Sequence, residues 1–148
     1  MNRNFTLLIL LFDALGGKIE GRKLIQKIVC ISKYKYNLPF PFEFYPYFYG
    51  PYSEQLQDIL DILVSAKILE EKIELTPSGN IKYVYSLTEI GKNLANMIKG
   101  QLDDKTILEN LNKVKELKER EIEDLVKEAK TILLKALNEP TNSLSQSN

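Results

Sequence analysis

The sequence has no histidine, no tryptophan and a single cysteine, Cys30. Without histidine, the most common general base and transition-metal ligand is missing, and with it every Ser-His or Cys-His dyad. A lone cysteine excludes an intrachain disulfide and a thiolate metal cage, and Cys30 itself reads as an inert core thiol. Charge of one sign is not in excess either. Twenty basic residues balance twenty acidic ones over 148 residues, which argues against a basic nucleic-acid coat or a polyanionic tail protein. Long apolar runs are absent. The best, FTLLILLF at residues 5–12, follows Arg3 and precedes Ala14-Leu15-Gly16, a faint likeness to a signal peptide. It is far too short to span a bilayer, and Asp13 closes it, so a buried first helix and a cytoplasmic protein are the expectation. No Gly-rich phosphate loop or calcium-loop spacing occurs, and the carboxylate pairs Glu70-Glu71 and Asp103-Asp104 lie in charged surface runs. These absences together predict a non-enzyme without cofactor or metal.

What is present is unevenly placed. Residues 1–50 carry seven basic against three acidic groups, whereas residues 51–100 carry five against seven and residues 101–148 eight against ten. An anion-binding surface therefore belongs in the first third. Asn4 to Leu15 reads as a helix stopped by Gly16-Gly17, and Lys18-Ile19-Glu20 as a connector able to form a bridge of sheet. Gly21 to about Tyr36 reads as a second helix. At 100° per residue its Leu24, Ile25, Ile28, Val29 and Ile31 share an inner face, and Lys23, Gln26, Lys27 and Cys30 point the other way.

Tyr34 to Tyr52 holds ten of the fourteen aromatic residues and four prolines, Pro39, Pro41, Pro46 and Pro51. Proline at this density forbids a helix interior or a central strand, so the segment is predicted as an extended loop or sheet edge. Its rings either roof a small core or present a partner surface, with Tyr45, Tyr47, Tyr49 and Tyr52 as the partner-binding candidates. Ser53 is a good N-cap for a third helix to about Lys67. Ile68 to Leu75 and Ile81 to Leu87 read as a hairpin around TPSGN, and a fourth helix opens at Thr88 or at a Ser86/Glu89 capping box and ends at Gly100. A long last helix is predicted over Asp104 to Leu137, about 50 Å at 1.5 Å per residue. The tail from 139 to 148 has the composition of disorder.

Helix, helix, helix, hairpin, helix is the order of a winged-helix domain, here residues 1–100, with Tyr52–Lys67 in the recognition-helix position and the hairpin as the wing. The fold class expected is therefore mainly α with a small β-hairpin: a winged helix-turn-helix carrying an aromatic insert and a long C-terminal helix. Three pieces carry a resemblance: Arg22-Lys23-Leu24-Ile25-Gln26-Lys27-Ile28-Val29; then Phe44-Tyr45-Pro46-Tyr47-Phe48-Tyr49-Gly50-Pro51-Tyr52-Ser53; then Tyr85-Ser86-Leu87-Thr88-Glu89-Ile90-Gly91. Together they resemble a group of small archaeal and bacterial winged-helix proteins with a YGPYS motif. The first two are distantly similar to the Panacea-type antitoxin domain. The resemblance covers about residues 4–100 and implies a regulator or an antitoxin-like role.

Two functions follow. One is a regulator of transcription that binds double-stranded DNA. Arg22, Lys23 and Lys27 would hold phosphates, with Lys82 doing so from the wing, and Ser53 and Gln57 would touch phosphate or base edges. Against it, the third helix exposes Glu54, Asp58 and Asp61 and has only Lys67 as a cation, and carboxylates repel phosphates. The other is a protein-interaction module, an antitoxin, adaptor or complex subunit, that uses the winged helix as a scaffold. Residues 101–138 are expected to form a dimerisation helix. Its distal seam, Ile122, Leu125, Ala129, Ile132 and Ala136, would reach past the core and pair with a second copy in a homodimer.

Overall fold

The computed structural model describes residues 2–139. Asn2 caps α1 (Arg3–Ala14) by accepting a hydrogen bond from the Asn4 amide at 2.8 Å. Every residue from Leu7 to Phe12 is buried, so α1 is apolar all round and runs through the middle of the core. Gly16 and Gly17, at φ +90° and +85°, end it in a conformation that suits glycine. The chain then enters β1 (Lys18–Glu20), α2 (Arg22–Tyr34), a turn through Lys35 to Asn37 (φ +53°) and an irregular stretch to residue 44.

That stretch alternates strictly. Tyr36, Leu38, Phe40, Phe42 and Phe44 are buried, while Asn37, Pro39, Pro41 and Glu43 face water. Extended backbone throws successive side chains to opposite sides, so prolines can occupy the outer positions without costing a buried donor. The Phe40 and Phe42 rings stack with centroids 5.8 Å apart. A tight antiparallel hairpin follows, β2 (Tyr45–Tyr47) and β3 (Gly50–Tyr52), turned by Phe48 and Tyr49.

Ser53 caps α3 (Glu54–Ser65), and β4 (Leu69–Leu75) pairs with β5 (Ile81–Leu87) from Leu69↔Leu87 to Leu75↔Ile81. β1 adds to the other edge of β5, with Ile19 opposite Tyr85, giving an antiparallel sheet in the order β1-β5-β4. Thr88 caps α4 (Glu89–Gln101). Gly91 is required there, because a Cβ would lie 2.3 Å from the Ile68 carbonyl oxygen. The architecture is mixed α/β, dominated by helix, with small antiparallel sheets.

The long last helix is corrected by the structure. Asp104 caps α5 (Lys105–Val114), a 3-10 turn occupies Lys115–Glu119, Arg120 is extended, and α6 (Ile122–Leu137) starts in a new direction. The reason is packing. Ile107, Leu111 and Val114 face the core, and Leu117 in the turn is 1% exposed. α6 then folds back across α2 and the β2–β3 hairpin. Glu128 on α6 accepts hydrogen bonds from Lys35 and from Arg120, which fastens the returning helix. Leu125, Ala129 and Leu133 are buried in the same core as α1. Leu125 and Ala129 of the expected dimer seam are therefore occupied within one chain. Ile132 and Ala136 are half-buried, and Ile122 is exposed. The middle of the expected seam is thus taken up within the chain, while Ile122, Leu134 and Leu137 of α6 stay exposed. Residues 140–148, most of the expected disordered tail, lie outside the described residues.

Candidate functional site

α2 was expected to show one face to water, but from Ile25 to Ser32 it is buried all round, with α6 and β3 of the hairpin packed along it and β1 at its start. Gln26 and Lys27 are consequently 2% and 6% exposed. Gln26 serves structure. Its amide nitrogen donates to the Ser53 carbonyl at 3.0 Å, and its oxygen accepts from the Ser53 amide at 2.8 Å. This reciprocal clasp fixes the chain between β3 and α3. Ser53 is itself fully buried, with its hydroxyl accepting from the Leu56 amide at 3.2 Å. Its N-cap role uses the hydroxyl up, and it reaches no surface from which to touch DNA.

Lys27 is placed differently. Its ammonium donates to the Lys23 carbonyl at 3.4 Å, and among the described residues it faces no carboxylate at ion-pair distance. Burial lowers its pKa from the ordinary lysine value, and the like charges of Lys23 and Lys130 lower it further. Gly50 packs against its tip. With φ at +118°, a Cβ there would sit 3.3 Å from Lys27 Cε.

Above Lys27 opens a cleft of ≈ 540 Å³ between α2, the β2–β3 hairpin and the start of α3. Arg22, Lys23 and Lys27 line one side, Tyr47, Tyr49 and Tyr52 another, with Glu54 and Gln57 from α3 at the rim. Lys23 Nζ stands 3.9 Å from the Tyr49 ring centroid, and the Tyr47 and Tyr52 rings meet edge to face at 5.5 Å. Arg22 is anchored from below. Its guanidinium lies 3.8 Å from the Tyr83 ring centroid, and it donates to the Tyr85 hydroxyl at 3.0 Å and to Glu71 at 3.2 Å. The Tyr85 hydroxyl also donates to Glu71. That arrangement keeps Arg22 charged and Glu71 ionised, but half of the arginine's charge is already answered.

The structure thus joins two groups of residues that the sequence kept apart, the basic face of α2 and the tyrosines of the insert. It leaves Lys82 out. Lys82 pairs with Glu20 at 2.8 Å on the sheet, away from the cleft. Gln57 donates to Asp61 one turn on at 3.0 Å. Cys30 lies wholly buried in α2, its thiol pushed up to about 12 by burial, and it is inert at neutral pH.

The rings of the insert divide at Phe44. Those before it fill the core, whereas Tyr45, Tyr47 and Tyr49 are each more than half exposed and Phe48 is 87% exposed. Tyr52 is half-buried. Phe48 was not among the sequence candidates, although its position in the turn between Pro46 and Gly50-Pro51 was a signal for it. Beside the hairpin, Lys130, Leu133 and Leu134 of α6 form a shallow groove with Pro46 and Phe48, and Leu134 and Leu137 are exposed. Among the described residues, no group of three or more Asp, Glu or Cys side chains is placed to hold a metal ion. No described helix is long and apolar enough to cross a membrane.

No family model matches the chain. Over 76 residues it is 41% identical to the uncharacterized protein YwgA of Bacillus subtilis (strain 168), a stretch that is 51% of this chain and 45% of YwgA. The chain thus spans about half the length of that curated relative.

Proposed function

We propose that this chain is a non-enzymatic protein-interaction module, antitoxin- or adaptor-like and cytoplasmic, that uses a winged-helix scaffold and docks its partner on the aromatic hairpin. The order α1–β1–α2–α3–β4–β5–α4 around a β1-β5-β4 sheet supports the winged-helix assignment. The carrying observation is the hairpin itself. It holds Tyr45, Tyr47, Phe48 and Tyr49 in water on a rigid base, clamped between α2 and α6. Clustered exposed aromatics are rare on a surface with no partner and are typical anchors of protein interfaces. Leu134 and Leu137 extend the same apolar face.

Double-stranded DNA is the less favoured partner. The helix that would enter the groove shows Glu54, Asp58 and Asp61, and Gln57, its one base-reading candidate, is engaged with Asp61. The wing adds exposed Glu70 and Glu74. These carboxylates face the place where phosphates would lie. Of the four cationic DNA candidates, Lys23 and Lys27 open into the cleft with no ion-pair partner among the described residues.

The test is co-purification of the full chain from its native cells at roughly 0.5 M salt, where attraction between exposed charges is largely screened. It is run beside a Phe48→Ser/Tyr49→Ser variant. A stoichiometric protein held by the wild type and lost by the variant supports the reading. If no protein is retained, and the chain instead binds duplex DNA in a salt-sensitive manner abolished by Lys23→Glu, the regulator reading replaces it.

A further inference from the structure

The cleft beside the hairpin carries a second, separate property. Lys27 is a cation that is more than nine-tenths buried, with one long backbone hydrogen bond and two like charges as its electrostatic neighbours. A buried charge of this kind costs folding free energy unless something answers it. Among the described residues no carboxylate lies at ion-pair distance from Lys27. The nearest carboxylate lining the cleft, Glu54, sits in the first turn of α3, where the helix N-terminus already accounts for it. Glu71 is spent on Arg22 and Tyr85. Lys23 lies at the mouth of the same cleft, so two ammonium groups converge on one volume walled by Tyr47, Tyr49 and Tyr52. A volume of ≈ 540 Å³ is that of a small-molecule site. Cations at the floor and tyrosine rings at the walls are complementary to a ligand that is anionic at one end and flat at the other.

We propose that this cleft binds a small oxyanion carried on a planar ring, an aryl phosphate or aryl carboxylate, with the oxyanion on Lys27 and Lys23 and the ring between the tyrosines. Gly50 belongs to the seat: its φ of +118° favours glycine, and a Cβ there would press on Lys27 Cε at 3.3 Å. The site does not require the docking reading, although the two share Tyr47 and Tyr49, so ligand binding is measured on the free chain.

The experiment is calorimetric titration of the full chain with phenyl phosphate, inorganic phosphate and phenol as probes. Phenyl phosphate is expected to bind one to one and at least about tenfold more tightly than inorganic phosphate or phenol, since each of the latter lacks one of the two recognised parts. Lys27→Met is expected to weaken phenyl phosphate at least about tenfold and the exposed Lys23→Met several-fold, while Lys92→Met on α4 leaves it unchanged. Lys23→Met keeps the proposal testable should the Lys27 variant fail to fold. The proposal is overturned by any of three results: no binding of phenyl phosphate at millimolar concentration, equal binding of phenyl and inorganic phosphate, or affinity untouched by Lys23→Met and Lys27→Met.

Discussion

Lys27→Met should make the folded chain more stable. Methionine keeps the length and most of the apolar stem of lysine and deletes the ammonium. In the native state Lys27 is 6% exposed as a residue, and its ammonium has one hydrogen bond at 3.4 Å and is repelled by Lys23 and Lys130. An isolated buried ion costs several kcal/mol, but the tip of Lys27 borders a water-filled cleft, which lowers the penalty. A gain of about 1 kcal/mol, within the range of single stabilising substitutions, is the expected size. The pH dependence follows from the direction of the shift. Its folded pKa lies below the ordinary 10.5, so above the folded value the unfolded chain holds the proton longer. The stability of the wild type should then rise with pH through that interval, and the rise should vanish in the variant. Urea melts of both proteins at pH 7 and at roughly pH 9 to 10 measure this directly. Destabilisation of Lys27→Met by about 1 kcal/mol or more would show that the ammonium's bond to the Lys23 carbonyl stabilises the fold, and the picture of an unanswered cation would be wrong.

Other perturbations probe the frame. Gly91→Ala brings a Cβ to 2.3 Å from the Ile68 carbonyl, which already accepts from Thr88, and should cost about 1–3 kcal/mol in a urea melt. Ending the chain at Arg120 strips α6 from the core and uncovers the sites of Leu125, Ala129 and Leu133; a loss of at least about 3 kcal/mol is expected, whereas a helix needed only for dimerisation would leave the monomer's melt nearly unchanged. The Glu128 carboxyl is held below its ordinary 4.5, because hydrogen bonds from Arg120 and Lys35 outweigh the opposing effect of burial. Its contribution is present above that ordinary value and lost as pH falls through the depressed one, so Glu128→Gln should flatten the acid side of the stability profile. Phe48→Ser should change the unfolding free energy by less than about 0.5 kcal/mol, since the ring is largely exposed in the free protein.

Much of the frame was legible in the sequence because its signals are local. Gly16-Gly17 ends α1, Ser53 and Thr88 cap α3 and α4, and alternating apolar residues mark β5. The break before α6 carries a weaker signal. Lys115–Glu119 consists of good helix formers, and the break shows only in Lys118 and Glu121, which interrupt the apolar stripe between Val114 and Ile122, a gap that marks either a bend or a helix leaving the core. The chain bends because burying Leu117 and then turning back over α2 covers more apolar surface than a straight helix running into water. That single turn hides the rest. With α6 in place the solvated lysine face of α2 becomes an interior one, and Lys27 passes from an ordinary surface cation to the floor of a cleft. The division of the aromatic insert was half legible. The alternation from Tyr36 to Phe44 stops at the adjacent pair Phe44-Tyr45, which is where the rings turn outward.

Photo-cross-linking from the hairpin tip tests the central claim most directly. A photoreactive phenylalanine analogue replaces Phe48 in the chain expressed in its native cells, with the same analogue at Leu75, on the exposed tip of the β4–β5 hairpin, as the comparison. A docking hairpin predicts one discrete protein adduct from position 48 that is absent from position 75. No protein adduct at position 48, or cross-links to DNA from position 75 alone, would contradict it.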